Sequence, residues 1–161
     1  MNPLATLLNE LETKIPQFDK TNQEISKSDV GWHIEHTLLT IIGIINLLSA
    51  SNPKDYKWKF NFIRIVVLTT KKIPRGRAKA PEVVQPKGNY GVESLTAHLL
   101  VTKQKIETLH SMDKANFFIH PYFGKLKLKE TINFLEIHTN HHLTIINDIL
   151  KKYNLNNLAT N

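Results

Sequence analysis

Three of the chain's eight histidines fall within five residues, in the segment Glu136-Ile137-His138-Thr139-Asn140-His141-His142. His138 and His142 stand at i and i+4, a spacing that on a helix puts both rings on one face with Cβ atoms roughly 5–6 Å apart. Two imidazoles so placed can share one ion, because zinc–nitrogen bonds are about 2 Å long. A third nitrogen from another helix would complete a site of catalytic type, and Trp32-His33-Ile34-Glu35-His36 can supply it. The spacing points to metal chemistry and leaves the reaction open.

The direction each histidine faces follows from the turn of a helix. The apolar stripe of the last helical segment is Ile132, Leu135, Ile146 and Ile149, and His142 lies within it. At about 100° per residue, His138 lies about 60° to one side and His141 about 60° further out. His138 and His142 are therefore expected to face inward, with His141 peripheral. Buried polar groups without partners are costly, so the inward pair are either ligands or hydrogen-bonded core residues. In the earlier segment His36 shares a face with Trp32, Leu39, Gly43 and Leu47, and Gly43 would let a neighbouring helix approach closely. His33, beside Thr37 and Thr40, is the alternative donor of the third nitrogen.

Glu35 and Glu136 flank the histidines; they could orient ligating rings by hydrogen bonds or be plain helix-surface charges. His120 precedes Pro121, which favours an extended or turn conformation. It could cap the site opening or pack the turn. His98 and His110 stand alone and need no function. Competing chemistries are absent from the sequence. There is no cysteine, hence no disulfide, thiolate ligand or cysteine nucleophile. His138 is followed by Thr139, so the HExxH motif is missing, and Arg75-Gly76-Arg77 lacks the context of a phosphate-binding loop.

The elements that must position these residues read as helices. Leu4, Leu7, Leu8, Leu11 and Ile15 keep a helical period from about Pro3 to Ile15, where Pro16 ends it. Ser28 or Asp29 is a suitable N-cap for a second helix from Val30 to Ser49. That helix is apolar nearly all round beyond Leu38 and is expected to be the most buried element. A segment from Trp58 to Thr70 is ambiguous by propensity; the lack of partner strands favours a short helix. A connection from Lys71 to Gly91 follows, long enough to suggest function. Further helices are expected from about Val92 to His110 and from Leu128 to Tyr153, separated by a Pro/Gly/aromatic stretch around His120-Pro121.

With 161 residues, the chain is expected to form a single domain over 1–161, with a core from about 3 to 153. No basic leader precedes an apolar stretch, and the run from Leu38 to Leu48 is too short to span a bilayer. The expectation is a cytoplasmic protein without a membrane partner. Between Lys54 and Lys87 stand ten basic and two acidic residues, a local excess larger than the chain's net charge of +7. Such a run can meet phosphates or an acidic substrate. No nucleic-acid-binding motif accompanies it, and only Tyr90, at the far end, could stack on a base. Tight nucleic-acid binding is therefore not expected. The run is expected to border the site opening or a subunit contact, as in a homodimer.

Taken together, a histidine after a tryptophan on the second helix and His138-x-x-His141-His142 on the last resemble the DinB/YfiT-like superfamily of metalloenzymes. The stretch His120-Pro121-Tyr122-Phe123-Gly124-Lys125-Leu126 resembles its branch with an HPxFG signature before the last helix. The resemblance covers the chain from the first helix to about Leu150. It implies an all-α four-helix bundle with up-down-down-up connectivity, here with an extra short helix and a long basic loop between core helices 2 and 3. It also implies a divalent ion, commonly zinc, nickel or iron, on His36, His138 and His142, with His33 as the alternative to His36. Some relatives are transferases that use a low-molecular-weight thiol.

The function expected is a metal-dependent hydrolase or thiol transferase acting on a small-molecule substrate. Glu35, Glu136, His141 and His120 are candidates to assist by hydrogen bonding. The competing expectation is a non-catalytic helical binding module with structural histidines and a basic segment for an anionic partner.

Overall fold

A computed structural model describes residues 2–76 and 80–158; Arg77 and Lys79 of the basic run lie outside them. Five α-helices, α1 (Pro3–Glu12), α2 (Val30–Ser49), α3 (Phe62–Thr70), α4 (Val92–Glu107) and α5 (Leu128–Leu158), make up most of the fold. A two-stranded antiparallel sheet, β1 (Phe117–His120) with β2 (Gly124–Lys127), precedes α5. This hairpin corrects the expectation of a purely helical chain. Its strands are four residues each, too short for a period of two to stand out in the sequence.

Local signals set the helix ends. Asn2 Oδ1 accepts from the Leu4 N–H, and Pro3 fills the first position of α1, where its missing N–H costs nothing. Asp29 Oδ1 accepts from the Trp32 N–H at 2.6 Å and opens α2 at Val30, as its side chain suggested. α3 starts later than its hydrophobic pattern, because Asn61 Oδ1 takes the Arg64 N–H at 2.8 Å and caps the helix at Phe62. α1 and α4 stop short of their expected ends, each followed by a 3-10 turn, at Ile15–Gln17 and Thr108–Ser111.

α2 packs on both α4 and α5, and α1 packs on the same two helices. Twelve of the twenty residues of α2 are buried, more densely than in any other helix, so its all-round apolar pattern serves burial between helices. Leu4, Leu8, Ile34, Leu38, Leu99, Leu135 and Ile146 are among the core residues. Gly43, expected to admit a close neighbour, instead faces open space: a Cβ there meets nothing within 4 Å.

α3 packs on α5 through a minority of its side chains, with Val67 buried but Phe62 and Ile63 exposed. Arg64 anchors it: the buried guanidinium donates to the carbonyls of Lys125 in β2 and Lys59. At the end of α3, Lys71 takes a left-handed conformation, φ 55°, and its N–H closes the helix on the Val67 carbonyl. The far end of the connection is pinned to the start of α2. The Tyr90 hydroxyl donates to Asp29 Oδ1, and the Tyr90 ring lies so close over Gly31 that a Cβ there would be 2.5 Å from it.

Candidate metal centre

The crossing of α2 and α5 brings His36, His138 and His142 together. One candidate ligand atom from each lies within 4.8 Å of the others. The ring centroids are 5.2 Å apart for His36–His138, 4.8 Å for His36–His142 and 4.6 Å for His138–His142. Trp32, one turn before His36, stacks on its ring at 4.9 Å and 15°, which limits the rotation of the imidazole.

Hydrogen bonds engage one nitrogen of His36 and one of His142. His36 Nδ1–H donates to the Val84 carbonyl at 2.7 Å, so its Nε2 carries the lone pair. His142 Nδ1 shares a hydrogen bond with His33 Nδ1 at 3.0 Å, and His33 Nε2 pairs with Ser26 Oγ at 2.9 Å. Two proton arrangements satisfy this chain, and the one that suits a metal has His142 Nδ1–H donating to His33 Nδ1 and His33 Nε2–H donating to Ser26 Oγ. His142 then has its own Nε2 lone pair free. Both nitrogens of His33 are committed, so His33 orients His142 and offers no lone pair of its own. Ligating imidazoles are usually oriented in this way, by a partner on the second nitrogen.

His138 completes the set. Part of the residue is exposed, yet its Nδ1 is buried and has no hydrogen-bond partner among the described residues. A buried nitrogen without a partner costs free energy, and an ion on the three rings supplies a reason for it. Ligands at about 2.0–2.1 Å in a tetrahedron stand about 3.3 Å from one another, so small ring rotations bring the three nitrogens onto one ion. The donor set fits a divalent metal.

Burial keeps these rings neutral, the state in which imidazole coordinates. It pushes His142 and His138 well below the usual histidine range, helped by the neighbouring rings. His36 is lowered by burial against the opposing effect of the Val84 carbonyl. His33 is lowered to about 4 by burial, then by His36, His141 and the charge of Arg75.

The other sequence candidates lie around this cluster in different ways. His141 meets the edge of His142 at 5.2 Å and faces a shallow cavity. Glu35 points to α4, where its Oε2 pairs with His98 Nδ1 at 2.9 Å, so the carboxylate is committed away from the three rings. Glu136 lines a separate cavity with Lys71 and Pro3, and burial raises its pKa. His120 holds the hairpin turn. Its Nδ1 accepts the N–H groups of Tyr122 and Phe123, and its ring stacks on Phe123 at 4.0 Å. Phe134 stands next to both His120 and His138.

Ser26 and the Val84 carbonyl were not visible from the sequence. Ser26 carries no local signal, and a backbone carbonyl carries none at all. The geometry is thus that of three inward histidines able to hold a divalent ion. No family model, curated protein or solved structure matches the chain.

Proposed function

We propose that this chain is a metal-dependent enzyme of the DinB/YfiT-like type, a single four-helix-bundle domain acting on a small-molecule substrate in the cytoplasm. The observation that carries the reading is the set His36, His138 and His142, with one nitrogen each within 4.8 Å. His36 and His142 are oriented through their other nitrogen. A divalent zinc, nickel or iron ion held there would supply Lewis acidity toward water or an exogenous low-molecular-weight thiol, with one coordination position left open.

The chain's own residues bind and orient. Trp32 and the Val84 carbonyl hold His36, while Ser26 and His33 hold His142. His141 is kept below its ordinary pKa by burial and by Arg75. It is therefore neutral near pH 7 and, bordering His142, is placed to take a proton from a reacting group. Glu35 is excluded from that task by its bond to His98.

The test is metal analysis of protein purified without an affinity tag or chelator, followed by zinc and nickel titration. The expected result is one tightly bound ion per chain, lost in His138→Ala and His142→Ala and kept in His141→Ala. Absence of binding, with the rings still packed, would make the histidines structural and favour the binding-module reading.

A further inference from the structure

The three inward histidines leave the basic run after α3 without a role. Past the left-handed backbone at Lys71, residues 71–75 lie beside α5, where Arg75 pairs with Asp148. Between them lies a cavity of about 370 Å³, with Lys71, Lys72 and Arg75 on one side and Asn140, His141 and Thr144 on the other. Its lining, among the described residues, contains three cations and no carboxylate. Ligand pockets start at about 300 Å³, so this one suits a small molecule or one end of it.

Two further observations bear on what it takes. Arg75 already grips an oxyanion: its guanidinium donates to Asp148 Oδ2 at 2.7 Å, one turn beyond Thr144 on α5. Both side chains are 42% exposed, so an incoming anion can reach the same guanidinium and compete with Asp148. The cavity also adjoins the histidine cluster. His141 lines it and touches His142, and the charge of Arg75 acts on both His141 and His33.

We infer that this cavity seats the oxyanion group, phosphate or carboxylate, of the enzyme's substrate, with Arg75 as its anchor and Asp148 as the internal competitor it displaces. The substrate class is then a small anion, held by one end at Lys71, Lys72 and Arg75 while the other end lies toward His142. A nucleic-acid strand is the poorer occupant, because the described lining residues include no Phe, Tyr or Trp on which bases could stack. The anion seat stands on its own residues; the statement that it serves a reaction rests on the metal reading.

The experiment uses the full chain, stripped of metal, with inorganic phosphate as the probe and calorimetry or amide chemical shifts as the readout. Saturable binding is expected, with shifts at Lys71–Arg75 and Asn140–Thr144. Arg75→Gln should weaken it roughly tenfold or more, the effect of losing one charge-assisted hydrogen bond. Asp148→Asn should tighten it severalfold by removing the competitor, an outcome that a misfolded variant cannot imitate. Both variants should bind zinc as the parent does, and His142→Ala should keep phosphate while losing zinc.

No saturable phosphate binding, or binding unchanged by both Arg75→Gln and Asp148→Asn, overturns the seat even where zinc binds. Phosphate binding with these mutational effects in a protein that takes up no ion would keep the seat and remove the metal reading.

Discussion

The Nδ1 atoms of His33 and His142 meet at 3.0 Å across the α2–α5 crossing. A flip of either ring would break that bond, and Ser26 holds the far side of His33. Where His142 is the donor in that bond, its Nε2 keeps the lone pair available to an ion shared with His36 and His138.

A graded response to mutation follows. His142→Ala removes a ligand and should abolish zinc binding. His33→Ala removes only the orienting partner, a kind of loss that typically costs about 10–100-fold in metal affinity. Competition with a chromophoric chelator separates the two. Equal loss in both variants would mean that His33 ligates directly.

Stability should fall in acid for a reason the buried rings supply. Burial holds His120 and His33 at about 4, against an ordinary 6.5. Between those values the unfolded chain binds protons that the folded chain refuses, so folding is favoured above pH 6.5 and loses ground as pH falls toward 4. His36, His138, His141 and His142 are shifted in the same direction. Thermal melting of metal-free protein should therefore show a Tm that drops steeply from pH 7 to pH 5. His120→Asn should lower Tm at pH 7 yet flatten that slope. A Tm that rises on acidification would contradict the neutral burial of these rings.

Helical periodicity carried much of the fold and the inward faces of His138 and His142. Both are consequences of the turn angle of one helix, which a sequence displays directly. The capping residue Asp29 likewise acts within its own turn. What the sequence hid depends on contacts between elements. Glu35 looked available until α4 brought His98 to it, and the partner of His142 became clear only once α2 crossed α5. The hairpin was concealed by its length, and the left-handed turn at Gly124, φ 71°, became visible only in the structure. Gly43 misled because a glycine in a helix reads as close packing whether or not anything packs there.

Gly43 also offers a direct test. It lies inside α2, and a methyl group added to its Cα would have nothing within 4 Å. Gly43→Ala should stabilise the protein by roughly 0.5–1 kcal/mol, the difference in helix propensity between the two residues. Chemical denaturation should show a higher midpoint with an unchanged slope. Destabilisation would restore a close neighbour at this position.

Gly31 should behave in the opposite way. A Cβ there falls 2.5 and 2.8 Å from two carbons of the Tyr90 ring and 3.1 Å from the Phe18 carbonyl oxygen. The carbonyl is fixed, since it accepts the Gly31 N–H at 2.7 Å, so Tyr90 must move and its bond to Asp29 must break. Gly31→Ala should cost about 1–3 kcal/mol, the usual range for overpacking. Tyr90 also ends the connection whose Val84 carbonyl holds His36, so zinc affinity should drop along with stability. In the double variant Gly31→Ala with Tyr90→Ala the collision is gone. The measured loss should then be smaller than the sum of the two single losses, as expected for residues in contact. Strict additivity in denaturation experiments would show that the two residues do not touch.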